Sequence, residues 1–318
     1  MSDQITVFVA GHQGLVGSAI VRRLQLDNSY AVLTVPRSDL DLRDQHGVDS
    51  WFNANKPNAV IVAAGTVGGI KANSTRPAEF IYDNMMIHMN VIEASRRHAV
   101  KKLLYLSSGC IYPRESKQPL QENYLMDGKM EETNIWYGVA KLAGIKTCQA
   151  YRRQYGVDFI SAIPATIYGD GDNFEPEQSH VIPALIHKMY EATKQGAPAV
   201  KLWGSGNPRR EFLHSDDLAD AVIFLLEHYS EETAINIGSG SGISIFDLAT
   251  QIRDQVAPFL ELEFDTSMPD GVHQKLLDSS RINALGWKSS ISLADGLRNT
   301  VSWYLDSRAR GHNIRGIN

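Results

Sequence analysis

The sequence predicts an α/β fold, a doubly wound parallel sheet with a smaller C-terminal lobe, and three observations carry that prediction. Short β-branched runs alternate with longer segments of helical period through the first half. A glycine cluster, Gly11-His12-Gln13-Gly14-Leu15-Val16-Gly17, joins the first run directly to the first periodic segment. Past Pro164 the rhythm loosens into pieces punctuated by Gly169-Asp170-Gly171, Gly204-Ser205-Gly206-Asn207-Pro208 and Gly238-Ser239-Gly240-Ser241-Gly242.

In order, Ile5 to Ala10 reads as a strand and Leu15 to Leu26 as a helix, followed by a strand at Ala31 to Val35 and a helix at Val48 to Asn55. The unit then repeats. Ala59 to Ala63 is a third strand, Pro77 to His98 a long helix, Lys102 to Ser107 a fourth strand, Trp136 to Tyr155 a helix and Asp158 to Ile163 a fifth strand. Right-handed crossovers wind such a chain onto both faces of one sheet. Around Ile235 to Gly238 a further strand is placed to return to it. No internal repeat or low-complexity segment interrupts the pattern.

Composition narrows the class. With 318 residues and 43% hydrophobic content the chain can bury a substantial core in one large or two modest domains. A net charge of -5 carries no electrostatic footprint for nucleic acid. Every apolar stretch is broken well before the roughly 20 residues that cross a bilayer, so no membrane partner is expected. Cys110 and Cys148 are the only cysteines, too few for a disulfide framework, and Met1-Ser2-Asp3 leads into a strand without a signal-peptide pattern. A cytoplasmic location is the expectation.

The glycine cluster follows a strand and opens a helix, the context in which such spacing binds a dinucleotide. Gly11 allows the turn, Gly14 lets backbone approach a pyrophosphate, and Gly17 permits close packing at a helix N-terminus that faces the phosphates. This marks the fold as Rossmann-type. Pro36-Arg37-Ser38 follows the second strand, where NAD enzymes carry an acid for the ribose diol. Arg37 can pair with a 2′-phosphate and Ser38 can add a hydroxyl, which favours NADP(H). A solvated Arg37, with Asp39 or Asp41 on a free ribose, is the alternative.

Tyr137 and Lys141 lie one turn apart on one helix face. A phenol with a pKa near ~10 needs help to act at neutral pH, and a neighbouring ammonium favours its ionised form. Ser107, Ser108 and Gly109 end the fourth strand, where doubly wound sheets place ligands and a hydroxyl can hold a carbonyl oxygen. The histidines show no paired metal-ligand spacing, so no metal is expected.

With these elements stand Val67-Gly68-Gly69-Ile70, Phe80-Ile81-Tyr82-Asp83-Asn84-Met85-Met86, Ser108-Gly109-Cys110-Ile111-Tyr112-Pro113, Asp172-Asn173-Phe174, Ser179-His180-Val181-Ile182-Pro183-Ala184-Leu185, Trp203-Gly204-Ser205-Gly206, Arg210-Glu211-Phe212-Leu213-His214 and Pro269-Asp270-Gly271. Over nearly its whole length the chain resembles the extended short-chain dehydrogenase/reductases, and among them the GDP-L-fucose synthase family. The resemblance implies that Ser108 and Tyr137 hold and protonate a sugar C4 oxygen while Lys141 binds the nicotinamide ribose. It also implies epimerisation at C3 and C5, with Cys110 as base and His180 as acid, and C4 reduction by NADPH. An enolate reprotonated from the opposite face needs two such groups. Cofactor contacts would come from Gly11, Gln13, Gly14, Leu15, Val16, Gly17, Arg37, Ser38, Asp41, Lys141, Pro164, Ile167 and His180. Contacts to a GDP-linked 4-keto-6-deoxy sugar would come from Lys188, Trp203, Arg210 and Asp270. Cys148 reads as helix core.

The resemblance departs at Gln13 and Lys188, where the family often has Arg, at Ala64-Gly65-Thr66-Val67-Gly68-Gly69, where it has Ala-Ala-Lys-Val-Gly-Gly, and at Pro164-Ala165-Thr166-Ile167-Tyr168-Gly169, where it has Pro-Thr-Asn-Leu-Tyr-Gly. A related GDP-4-keto sugar enzyme of colitose or heptose type therefore stays open, as does a plain nucleotide-sugar 4-reductase, which would need neither Cys110 nor His180. A silent NADP-sensing scaffold would keep the glycine turn and dispense with Ser108, Tyr137 and Lys141. Residues 1–164 are expected to form the NADP-binding domain and 165–318 mainly the nucleotide-sugar lobe. Relatives of this kind pair through their two long helices, so a homodimer is expected.

Overall fold

Continuous apolar runs build the central sheet. In the computed structural model, which describes residues 4–176, 178–268 and 270–317 and at position 70 the backbone alone, the chain folds into strands, helices and connecting loops in alternation. Met1-Ser2-Asp3 and Pro269 lie outside the described residues. The first half comprises β1 (Ile5–Ala10), α1 (Leu15–Gln25), β2 (Tyr30–Leu33), α2 (Gln45–Asn55), β3 (Ala59–Val62), α3 (Ile70–Thr75), α4 (Pro77–Arg97), β4 (Lys102–Leu106), α5 (Ile135–Tyr155) and β5 (Asp158–Pro164). The second comprises β6 (Thr166–Tyr168), α6 (Val181–Lys194), β7 (Ala199–Trp203), β8 (Arg209–His214), α7 (Ser215–His228), β9 (Ile235–Ile237), β10 (Gly242–Ser244), α8 (Ile245–Val256), β11 (Glu261–Asp265), β12 (Gln274–Lys275), α9 (Ser280–Leu285) and α10 (Leu293–Ala309).

Six strands pair in the order β2-β1-β3-β4-β5-β9, and every pairing is parallel. The order reverses between β1 and β3, and ligands of such sheets bind beyond the strand ends at this crevice. All four residues of β3 are buried, as a strand covered on both faces requires. On one face Phe52 of α2, Val91 of α4 and Ile145 of α5 share a core. On the other, Ile20 of α1, Val222 of α7 and Ile282 of α9 share a second. Each such side chain contributes about 1.5–3 kcal/mol by leaving water. The C-terminal half also builds its own core, from Ile186 of α6, Leu248 of α8 and Tyr304 of α10. Around that core β10, β8, β12 and β6 form one small sheet, and β11 with β7 another. Among the described residues no helix is long and apolar enough to cross a membrane.

Candidate active site

The glycine turn shows why its spacing matters. Gly11 has φ +91°, a left-handed conformation, and a Cβ there would come within 2.7 Å of the Ala64 backbone. At Gly17 a Cβ would collide with the Gly11 carbonyl, so only glycine lets α1 start this close to the turn. Gly14 caps α1 without any side-chain hydrogen bond, which leaves first-turn N–H groups free to meet an anion. This cradle fits a dinucleotide pyrophosphate. It lines a cavity of about 650 Å³.

At the adenosine end Arg37 and Asp41 line the cavity. Ser38 does not: its hydroxyl donates to Asp39 at 2.9 Å. Asp41 is engaged by Arg43, whose Nη2 approaches it to 2.6 Å while Nη1 reaches Asp83 at 2.8 Å. The Arg43 side chain holds the Asp41 carboxyl down at about 2. An acid so occupied is a poor acceptor for a ribose diol, which leaves the Arg37 guanidinium to meet a phosphate at that end.

Ser108, Cys110, Tyr137, Lys141 and His180 line the same cavity as the glycine turn, together with Pro164 and Ile167. Ser107 also lines the cavity, but its hydroxyl is spent locally, donating to the Lys141 carbonyl at 3.2 Å, whereas the Ser108 hydroxyl is turned to Tyr137 and Cys110. The Ser108 hydroxyl favours ionisation of both. A short 3-10 turn over Gly109–Ile111 carries Cys110 inward. Gly138 on α5 faces that turn: a Cβ there would sit 3.4 Å from the Cys110 carbonyl, in ordinary contact, and 3.2 Å from Met130 Cε. Burial pushes the Cys110 thiol up, against the Lys275 ammonium and the Ser108 hydroxyl. His180 caps α6, and burial draws its imidazole down.

Burial pushes the Tyr137 phenol up and the Cys110 charge adds to it, against the Ser108 hydroxyl. The Lys141 ammonium lies over the ring face, 5.7 Å from its centroid. It is itself only 4% exposed, and burial draws it down to about 8.

Lys188, Trp203, Arg210 and Asp270 do not line this cavity; they sit in the second lobe. Lys188 donates to the Lys201 carbonyl. Trp203 ends β7 and is 65% exposed. Asp270 accepts from the Ser205 N–H at 2.6 Å and its hydroxyl at 2.7 Å, and its charge favours the Arg210 guanidinium. Arg210 lies next to the cavity: its register partner across β8 and β12 is Lys275, a cavity residue.

Sequence reasoning gave no role to Lys275, Glu211 or Asp172, which all line the cavity. Glu211 holds β12 in place by accepting from the Leu277 N–H at 2.7 Å. Asp172 is buried with Oδ2 unpaired, and burial pushes it up to about 7. Among the described residues no cluster of three or more His, Cys, Asp or Glu could hold a metal ion.

A parallel sheet with a dinucleotide cradle and a Ser, Tyr and Lys set at its switch point defines a nicotinamide-dependent α/β enzyme of the short-chain type. The NAD dependent epimerase/dehydratase family model matches residues 7–238, and the chain belongs to that family. It is 51% identical to GDP-L-fucose synthase 1 of Arabidopsis thaliana over 96% of this chain and 95% of that protein. It is 46% identical to GDP-L-fucose synthase of Escherichia coli strain K12 over 98% and 99% of the two chains. Among solved structures, a GDP-L-fucose synthetase from Naegleria fowleri bound to NADP superposes with a TM-score of 0.90 at 26% identity, covering 97% of this chain and 96% of that one.

Proposed function

We propose that this chain is an NADPH-dependent epimerase-reductase that converts GDP-4-keto-6-deoxy-D-mannose into GDP-L-fucose. One observation carries the reading beyond family membership: Cys110 and His180 share a cavity with Ser108, Tyr137 and Lys141. Reduction of a ketone needs only the last three. Inversion beside a ketone needs a base and an acid on opposite faces of the ring.

In this reading Cys110 removes the proton at C3 or C5, and Ser108 and Tyr137 hold the C4 oxygen as it gains charge. His180 then returns a proton from the other face. When bound, the cofactor supplies the hydride that reduces C4; Tyr137 donates its proton to the C4 oxygen, and Lys141 steadies the ribose. The glycine turn holds the pyrophosphate, Arg37 the 2′-phosphate, and Pro164 and Ile167 border the nicotinamide. Arg210 and Lys188 give charge for the GDP diphosphate, Trp203 a flat surface for the base and Asp270 a carboxylate for hydroxyls. Residues 1–164 with β9 serve the cofactor, and most of 165–318 serves the nucleotide sugar. Tyr82 on α4 and Trp136, Val139 and Tyr155 on α5 expose large apolar surface, which suits pairing of two copies through these helices. Two free, buried cysteines suit the reducing cytoplasm.

The test is product analysis. The protein should oxidise one NADPH per GDP-L-fucose formed. Cys110→Ser and His180→Asn should each lower the rate of fucose formation by about 100-fold or more, the scale of acid-base catalysis. NADPH oxidation that leaves C3 and C5 unchanged would make the protein a plain C4 reductase.

A further inference from the structure

Beneath Lys141 lies a closed ring of buried polar groups that the proposed reaction leaves without a task. His88, on α4, is fully buried and does not line the cavity. Its Nε2 is 3.5 Å from Lys141 Nζ, and its Nδ1 is 3.0 Å from the Tyr105 hydroxyl. That hydroxyl lies 3.3 Å from the Lys141 carbonyl, and Nζ donates to the Leu106 carbonyl at 3.0 Å.

The chemistry of the groups fixes the direction of each bond. An ammonium only donates, so a Lys141–His88 bond requires Nε2 to accept and the imidazole proton to reside on Nδ1, although the Ala64 and Ala140 carbonyls also stand within reach of the ring. Nδ1–H then donates to the Tyr105 oxygen, and the Tyr105 O–H donates to the Lys141 carbonyl. Each donor is used once. The fold is shaped for this ring: Gly144 on α5 leaves room for the Tyr105 phenol, with which any Cβ at that position would collide. The two rings meet edge-on, with centroids 4.9 Å apart and planes at 76°.

We propose that His88 is a positioning residue for the reduction step, holding the Lys141 ammonium in one orientation and keeping it charged so that its remaining N–H points to the cofactor ribose and Tyr137. The inference rests on the reductase reading above. Two of the three N–H bonds of Lys141 go to Leu106 and His88, which leaves one for the cavity. The groups that face this ammonium are Tyr105 and the Leu106 carbonyl from β4, Cys110 from the 3-10 turn, Tyr137 from its own helix and His88 from α4. Among the described residues no carboxylate pairs with it. Burial and the Lys141 charge hold His88 far below its ordinary range, so the ring stays a neutral acceptor. Lys141 works in its charged form, which is lost as pH rises through its value of about 8. Removing the acceptor disfavours that charged form and moves the loss to lower pH.

The experiment measures kcat/KM for NADPH oxidation against pH in the unsubstituted protein and in His88→Leu, His88→Gln and Tyr105→Phe. Deuterium wash-in at C3 and C5 is followed beside it, well below the alkaline limb and with NADP+ in place of NADPH. In His88→Leu the limb should fall by about one to two pH units, the scale of a hydrogen bond to a charged group. His88→Gln, which keeps an acceptor, should restore most of that shift, and wash-in should be unchanged in both. An unmoved limb in His88→Leu, or a Gln variant as impaired as Leu, overturns the inference. Should His88→Leu fail to fold in a thermal melt, Tyr105→Phe decides: without the Tyr105 oxygen the Nδ1–H tautomer that the charged Lys141 requires is left unpaired and becomes costlier, and the limb must move the same way or the inference falls. Failure of the unsubstituted protein to oxidise NADPH overturns the reductase reading and this inference with it, whereas normal oxidation with unshifted variants overturns the inference alone.

Discussion

Burial moves the two groups proposed to epimerise in opposite directions, Cys110 above the ordinary thiol value of 9.0 and His180 below the ordinary imidazole value of 6.5. The resting pair is thiol and neutral imidazole; the working pair is thiolate and imidazolium. Both hold one proton, so their ratio does not change with pH. Epimerisation should therefore run at a constant rate between the His180 and Cys110 values. It should fall below that window, where both groups are protonated, and above it, where neither is. Wash-in of solvent deuterium, followed from about pH 5 to about pH 10, should show that plateau, and a narrow bell centred near neutral pH would contradict it. Ser108, Tyr137 and Lys141 were legible in the sequence because a strand end and one helical turn present them. Lys275 and Glu211 were not, because no local spacing reveals residues brought to the cavity by the pairing of β12 with β8, and Asp172 was not because it stands in the loop after β6, where no periodicity marks a side chain that turns inward. His88 was hidden for another reason: on a long helix it reads as one more residue of a packed face.

Single elements carry the site through shared polar anchors. Asn236 on β9 donates to the Leu120 carbonyl at 2.8 Å and the Asp278 carbonyl at 3.1 Å, and it accepts from the Tyr112 hydroxyl at 2.6 Å. Its own N–H donates to Glu122 at 3.0 Å. This knot ties the segment after Cys110 to the main sheet and to the chain that follows β12. Asn236→Ala strands those partners in a buried setting, and it should cost about 2–4 kcal/mol of stability, read as a lowered midpoint in denaturant unfolding. A loss below about 0.5 kcal/mol, the scale of an ordinary surface change, would refute it. The long helices and the first five strands were readable from the sequence to within a few residues. Elements such as α3 were not: its six residues follow Gly68-Gly69 and are held by the Asn73 amide, which donates to the carbonyls of both glycines at 2.8 and 3.0 Å. Such a tether leaves no periodicity to read. The return of β9 to the main sheet rests on only three residues, and pairing with β5 defines it more than its own pattern does.

At the scale of the whole molecule, a parallel sheet presents the cofactor cradle and the C-terminal half, built on its own core, carries the residues proposed to face the nucleotide, with Lys275 and Arg210 paired between β12 and β8. Two copies should pair through α4 and α5, so sedimentation should give a dimer. Tyr82→Arg combined with Val139→Arg should shift it to monomer, and a monomeric unsubstituted protein would refute the pairing. The central claim is that one cavity both inverts and reduces. The most direct measurement supplies GDP-4-keto-6-deoxy-D-mannose and NADPH in deuterated water and locates deuterium in the product by NMR. Deuterium at C3 and C5 of a product of fucose configuration, with none delivered to C4 by unlabelled NADPH, is the predicted result. A reduced product with protium retained at C3 and C5 would contradict it.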